Sequence, residues 1–141
     1  MEVQEIVVLA ILACGRDELV IVSEQAKRPL EWGYPGTKVA MGEPYRSAAS
    51  RVALFATGLD IHPDRFKKRI RESKGLDNIL RYSYRAYLSE DERSQISDTS
   101  PCGSRNICVV RTDELPRFIR ERHKRIMGAP GKSFQEEDEL V

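Results

Sequence analysis

The chain opens with two apolar runs separated by a short polar segment. Residues 6–14 are nine consecutive apolar residues, residues 15–18 contain a glycine and two acids, and residues 19–22 are apolar again. Nine apolar residues are too few to span a membrane, and the acidic Glu2 and Glu5 stand where a signal peptide carries positive charge. The pattern therefore predicts two buried strands joined by a Gly/Asp turn.

A helix is predicted over residues 44–57, after a loop at residues 25–36 that is punctuated by proline and glycine. Pro44 suits the first helical position, and the alanine-rich middle has a high helix propensity. Gly58 provides a C-terminal stop, because many helices end at a glycine in the left-handed conformation.

The second half of the chain predicts a β-hairpin, one more strand and a second helix. Residues 65–73 and 79–88 contain the β-branched and aromatic residues that strands prefer, and a polar turn separates them. Residues 89–105 predict a polar surface loop, and residues 106–111 predict a short buried strand. Residues 112–126 predict a helix with acids in its first turn and cations at its end. Strands around two helices indicate a mixed α/β domain.

Length and composition indicate one globular domain. The chain has 141 residues, of which 40% are hydrophobic and 32% charged, an ordinary composition for a single packed core. We assign residues 1–127 to this domain and residues 128–141 to an acidic, flexible tail. The net charge of +1 favours neither nucleic acid nor a membrane as a partner. The three cysteines suit no disulfide framework or zinc site, so we expect a reduced, cytoplasmic protein.

Residues 37–59 resemble a degenerate form of the Nudix box, the motif of the Nudix hydrolase (MutT-like) family. The family pattern is Gly, five spacers, Glu, seven spacers, and then Arg-Glu-aliphatic-x-Glu-Glu-x-Gly-aliphatic. The positions that match are Glu43, Arg51, Gly58 and Leu59, with Gly36 and Lys38 matching the frequent lead-in. Thr37 stands where the box has its first glycine. The resemblance implies a Nudix-type α/β/α sandwich with a mixed β-sheet.

The carboxylates of the box are replaced at three helical positions by Val52, Phe55 and Ala56. Nudix enzymes use these positions to hold divalent cations against a diphosphate, and none of the three replacements offers an oxygen ligand. The resemblance therefore implies a dismantled metal site, no catalytic residue beyond the residual box positions Glu43 and Arg51, and no cofactor. We expect Glu43 and Arg51 to form a structural ion pair.

The three replacements also predict one apolar patch, because positions i, i+3 and i+4 of a helix are neighbours. We expect a loop or a crossing strand to cover this patch. A ligand ring or a side chain of a partner is the alternative cover.

Cations alternate along both strands of the predicted hairpin. Lys67, Arg69 and Arg71, here called the basic run, are expected to share one strand face, and Arg81 and Arg85 form a second alternating set. Pairing position 71 with 81 gathers all five cations, whereas pairing 71 with 80 places the two sets on opposite faces. The surface is either a solvated face or, with its tyrosines, a site for single-stranded RNA.

Three functions stay open at this point. The first is a non-catalytic module that binds a nucleotide-like ligand, single-stranded RNA or a protein partner. Its candidate binding residues are Lys38, Arg51, Val52, Phe55, Ala56, the basic run, Arg81 and Arg85. The second is a divergent, magnesium-dependent pyrophosphohydrolase that adds carboxylates from outside the box to Glu43. These carboxylates are Glu24, Glu31, Glu90, Asp91 and Glu92. The third is a structural subunit that uses the apolar helix face as an oligomer contact, for example in a homodimer.

Overall fold

The computed structural model describes residues 5–24, 32–72 and 79–117. Six strands and two α-helices cover most of them. In chain order they are β1 (Glu5–Cys14), β2 (Glu18–Glu24), β3 (Gly36–Lys38), α1 (Tyr45–Thr57), β4 (Lys67–Glu72), β5 (Ile79–Leu88), α2 (Glu90–Ser94) and β6 (Arg105–Arg111). Two 3-10 helices cover Pro63–Arg65 and Thr112–Arg117. None of the helices in these ranges is long and apolar enough to cross a membrane.

The strands form one mixed sheet, which confirms the predicted fold class. Five strands follow the order β4-β5-β1-β2-β6, and β3 pairs with β1. β1 runs parallel to β5 over its whole length and antiparallel to β2 and β3. β3 pairs with residues 7–9 of β1, and β2 pairs with Ala13 and Cys14 near the other end of the strand.

The core lies on both faces of this sheet. Val8, Ala10 and Leu12 of β1 belong to the hydrophobic cluster that contains the buried side of α1. The alternate residues of β1 belong to a second cluster on the opposite face, with Leu19 and Ile21 of β2. A strand buried on both faces has no polar alternate positions, which explains the uninterrupted apolar run at the start of the sequence.

Helix α1 begins and ends close to its predicted limits. Pro44, which we predicted as the first helical residue, is extended and occupies the N-cap, so the helix begins one residue later at Tyr45. Gly58 has a φ of 81°, and its N–H donates a hydrogen bond to the Leu54 carbonyl at 2.8 Å. The glycine stop is therefore confirmed, because few residues other than glycine adopt this conformation without strain.

In the second half of the chain, one predicted loop contains a helix, and three predicted elements extend beyond the described residues. The stretch predicted as a loop at residues 89–105 contains α2, which starts at a capping box formed by Ser89 and Glu92. The predicted second helix is described only as the 3-10 helix Thr112–Arg117, and its continuation to residue 126 lies outside the described residues. The hairpin turn and the acidic tail at residues 128–141 also lie outside them.

Candidate functional site

The three apolar replacements on α1 do not form one surface. Val52 and Ala56 are 3% and 0% exposed and belong to the core beneath the helix, whereas Phe55 is 49% exposed. Positions 52 and 56 are one helical turn apart and therefore point towards the sheet together, while position 55 is rotated by about 100° from 56. The prediction of one patch of all three residues under a loop or a crossing strand is therefore wrong, because Ala56 is enclosed in the core and Phe55 is exposed.

Arg51 and Glu43 form the expected ion pair, in a two-pronged geometry. Arg51 Nε donates to Glu43 Oε2 and Arg51 Nη2 donates to Glu43 Oε1, both at 2.9 Å. Glu43 Oε1 also accepts a hydrogen bond from the Ala40 N–H at 3.0 Å. The hydrogen bonds from Arg51 hold the pKa of Glu43 below its ordinary value. Both carboxylate oxygens of Glu43 are therefore engaged within the protein.

The same arginine fastens α1 to β3. Arg51 Nη2 donates to the Lys38 carbonyl at 2.9 Å, and Arg51 Nη1 donates to Thr37 Oγ1 at 3.2 Å. Thr37, which replaces the first glycine of the family pattern, thus supplies an acceptor that glycine lacks. A Cβ at position 36 would come within 2.6 Å of Leu9 Cδ2, so any larger residue there would require the Leu9 side chain to shift.

A pocket of about 340 Å³ lies between α1, β3 and β6. Its lining residues are Gly36, Thr37, Arg51, Val52, Phe55 and Arg105. The pocket brings together three of the predicted binding residues on α1, namely Arg51, Val52 and Phe55. Its walls combine an aromatic ring, a hydroxyl and two guanidinium groups, a set that suits a ligand with both apolar and anionic parts.

Arg105 is the residue of this pocket that the sequence analysis missed. Its guanidinium carbon lies 4.9 Å from the centroid of the Phe55 ring, a cation–π contact between β6 and α1. Its Nη1 atom is buried and makes no hydrogen bond to any described residue. No local pattern joins positions 55 and 105, because only the register of β6 on β2 brings them together.

The described residues of the pocket do not fit a magnesium ion. Magnesium takes oxygen ligands in an octahedral arrangement, whereas Val52, Phe55 and Ala56 have only carbon atoms in their side chains and Glu43 is committed to Arg51. Within residues 5–24, 32–72 and 79–117, no group of three or more His, Cys, Asp or Glu side chains is arranged to hold a metal ion. Of the proposed additional carboxylates, Glu31 and the side chain of Glu24 lie outside the described residues.

The other proposed carboxylates, on α2, lie at the far end of the sheet. β3 lines the pocket and pairs with residues 7–9, whereas β5 leads into α2 beside Cys14. At about 3.3 Å per residue, residues 7–9 beside the pocket and Cys14 beside the start of α2 are therefore roughly 15 Å or more apart along β1. Glu92 is also engaged there, because Arg65 donates to its two carboxylate oxygens at 2.6 and 2.7 Å. These acids therefore do not join Glu43 in one site.

The Arg65–Glu92 pair gives a prediction about stability and pH. Hydrogen bonds from Arg65 lower the pKa of Glu92 to about 2, below its ordinary value of 4.5. A lowered pKa in the folded state means that this pair stabilises the fold above pH 4.5 and loses its contribution as the pH falls towards 2. We expect Glu92→Gln to lower the free energy of unfolding by about 1–2 kcal/mol at pH 7. The difference in free energy of unfolding between the parent and Glu92→Gln should be smaller at pH 3, as measured by urea denaturation.

Glu90→Gln is the matched control, because Glu90 is exposed on the same helix and makes no ion pair with a described residue. It should change the stability by less than about 0.5 kcal/mol at either pH. An equal loss in the two variants would mean that the net charge of α2, and not the Arg65 pair, stabilises this region.

The hairpin strands pair in a register that we did not predict. Arg71 lies opposite Tyr82, so neither pairing considered for position 71 is present, and the register shifts between Lys68 and Ile70. This irregularity interrupts the alternation of β4, and the prediction that the basic run shares one face of a regular strand is wrong. The side chains of Arg69 and Arg71 lie outside the described residues.

The remaining cations of the hairpin differ in exposure. Arg81 is only 5% exposed, whereas Lys67 is exposed opposite Arg85. Arg85 Nη1 donates to the Tyr87 hydroxyl at 3.3 Å. Arg81 is therefore not part of a solvated cationic face, and RNA binding by the hairpin stays a prediction.

Lys38, the last predicted binding residue, points away from the pocket lining. Its Nζ lies 2.7 Å from Glu5 Oε1 in an exposed ion pair between β3 and β1. Only its backbone carbonyl takes part in the site, as an acceptor for Arg51.

These features define a class: a mixed-sheet α/β protein with a pocket between its main helix, a short strand and the edge of the sheet. No protein-family model matches the sequence, and no curated protein is similar to it at the sequence level. Solved structures do match, and the chain has a Nudix-like fold.

Three of the similar structures cover most of the chain. The NUDIX domain of Shewanella oneidensis NrtR, complexed with ADP ribose, has a TM-score of 0.70 and 14% identity, over 90% of this chain and 86% of that one. A MutT structure from work on Aliivibrio salmonicida and Vibrio cholerae has a TM-score of 0.66 and 16% identity, over 89% and 98%. A NUDIX hydrolase from Nitrosomonas europaea has a TM-score of 0.62 and 16% identity, over 89% and 86%. At these identities the comparisons establish the fold alone.

Proposed function

We propose that the protein binds a nucleotide-like ligand in the pocket between α1, β3 and β6, without a metal ion and without hydrolysing it. The observation that carries the proposal is the composition of the pocket wall. Phe55 stands where the box pattern has a carboxylate, the Arg105 guanidinium lies over the Phe55 ring, and Glu43 gives both of its oxygens to Arg51. The wall is thus aromatic and cationic, which favours an anionic ligand with a planar ring over a divalent cation.

Two further observations support a ligand of this kind. The pocket, at about 340 Å³, falls within the size range of small-molecule sites. The similar NUDIX domain of Shewanella oneidensis NrtR was solved as a complex with ADP ribose. ADP ribose is therefore a suitable first probe for this chain.

The test is calorimetric titration of the protein with ADP ribose, in excess EDTA and again in excess Mg²⁺. We expect saturable binding in both buffers, with dissociation constants that agree within about threefold. Phe55→Ala should weaken binding by about tenfold or more, because the ring forms one wall of the pocket. Leu54→Ala is the matched control, since Leu54 is exposed to a similar degree on the same helix but does not line the pocket. Binding that requires Mg²⁺, or that Phe55→Ala leaves unchanged, would contradict the proposal.

A further inference from the structure

We propose that Arg105 takes the place of a divalent cation in this pocket and binds an oxyanion of the ligand. This inference rests on the proposed function and narrows it. The ligand is then a phosphate ester or a diphosphate, and an uncharged nucleoside is a poor substitute for it.

The first support comes from the balance of charge in the pocket. Arg51 is neutralised by the two-pronged pair with Glu43. Arg105 makes no ion pair with any carboxylate of the described residues, so its positive charge is not compensated there. Among the described residues that line the pocket, one unit of positive charge therefore has no counter-charge, and a bound anion is the group that would balance it.

The second support is the unfilled hydrogen-bonding capacity of the same side chain. Arg105 Nη1 is buried and makes no hydrogen bond within the part of the chain that the structure describes. A buried donor on a charged group is costly when it has no acceptor, and native structures seldom leave one without a reason. Arg105 lines the pocket, so a phosphate oxygen bound there would accept hydrogen bonds from its guanidinium group, which offers two parallel donors to such an oxyanion.

The third support is that Arg105 is held in place before any ligand arrives. Its side chain stacks on the Phe55 ring, and its backbone N–H donates to Ser100 Oγ at 3.1 Å. Its carbonyl accepts a hydrogen bond from the Ser100 N–H at 3.0 Å. A cation fixed in this way loses little conformational freedom on binding, which is the advantage that a bound metal ion also provides.

The Phe55–Arg105 contact also explains the aromatic residue at position 55. A glutamate there would neutralise Arg105 and close the anion site, whereas a phenylalanine ring orients the guanidinium and leaves its charge available. A purely structural contact between β6 and α1 would need the stem of Arg105 but not its charge. The two roles can therefore be separated by variants that keep the stem.

The experiment measures binding of adenosine, AMP, ADP and inorganic pyrophosphate by calorimetry, all in EDTA, to the parent protein, Arg105→Met and Arg105→Lys. We expect the parent to bind ADP at least about tenfold more tightly than adenosine. Arg105→Met keeps the stem on Phe55 and should lose about tenfold or more in affinity for ADP and pyrophosphate, with adenosine unchanged. Arg105→Lys should recover part of this loss, because it restores the charge without the planar fork.

Arg111→Met is the control for removing a positive charge from the same strand, since Arg111 is exposed at the other end of β6 beside Asp113. It should leave all four affinities unchanged, and thermal melts of every variant check that the fold is intact. If ADP binds no more tightly than adenosine, or if Arg105→Met binds ADP as the parent does, the inference is overturned while binding in the pocket stands. If none of the four probes binds the parent, the proposed function fails and the inference fails with it.

Discussion

The purified protein should hydrolyse ADP ribose and other nucleoside diphosphate-linked substrates at least about a thousandfold more slowly than an enzyme with an intact carboxylate cluster. The reason is that no described side chain at positions 52, 55 or 56 can hold a cation against the diphosphate. The positive charge that stabilises the transition state is then not fixed in place, and this electrostatic contribution is usually the largest in catalysis. The measurement is phosphate or nucleotide release from a substrate panel, with Mg²⁺ and with Mn²⁺.

Glu43→Gln is the decisive companion variant, because Glu43 is the carboxylate that survives at a matching position of the box. Glu90→Gln removes a carboxylate from α2 and controls for the change in charge. Robust metal-dependent turnover that Glu43→Gln abolishes and Glu90→Gln preserves would establish the divergent hydrolase instead, with ligands recruited from Glu24 or Glu31. Turnover that is indifferent to Glu43 would indicate a contaminating enzyme.

The strands and α1 were predictable because their signals are local. The unbroken apolar run of β1 reflects burial on both faces, and Gly58 marks the end of α1 through its own backbone conformation. The signal for α2 was also present, since a serine followed three residues later by a glutamate is the pattern of a capping box. It was overlooked because a five-residue polar helix has no apolar periodicity.

The composition of the pocket was only partly predictable. The ion pair between Glu43 and Arg51 was expected from the resemblance to the Nudix box, and the structure contains it. The contact between Phe55 and Arg105 depends on how β6 pairs with β2, which no pattern along the chain specifies. The bulge in β4 was likewise not predictable from the sequence. A one-residue shift in register there reassigns every later position of the strand to the other face.

The burial of Val52 and Ala56 explains why the carboxylates of the box cannot simply be restored. In the sequence all three positions appeared equivalent, but Val52 and Ala56 are buried in the core and Phe55 is exposed, and only Val52 and Phe55 line the pocket. An ionised carboxylate in the core has no partner there, and its desolvation is strongly unfavourable.

We expect Val52→Glu and Ala56→Glu each to lower the free energy of unfolding by about 3 kcal/mol or more at neutral pH. Ala56 is 0% exposed, so a glutamate there must be buried or must displace α1 from the sheet. Val52 is 3% exposed and lines the pocket, so a glutamate there loses most of its solvation even if it extends towards the pocket. A buried carboxyl has a raised pKa, and the folded state then binds its proton more tightly than the unfolded state does. The loss in free energy of unfolding should therefore become smaller as the pH falls below about 4.3, as measured by urea denaturation at several pH values.

Phe55→Glu is the matched control on the same helix, because Phe55 is 49% exposed and its replacement meets Arg105 and solvent. It should change the stability by less than about 1 kcal/mol at neutral pH. Ala56→Gln separates the effect of volume from that of charge, since the amide is as large as the carboxylate but cannot ionise. The stability that this variant loses should therefore not vary with pH. If Val52→Glu and Ala56→Glu were as stable as the parent, and the double variant gained metal-dependent turnover, both glutamates would have to reach the pocket, which Val52 lines and Ala56 does not. The packing of α1 against the sheet makes the opposite outcome the expected one.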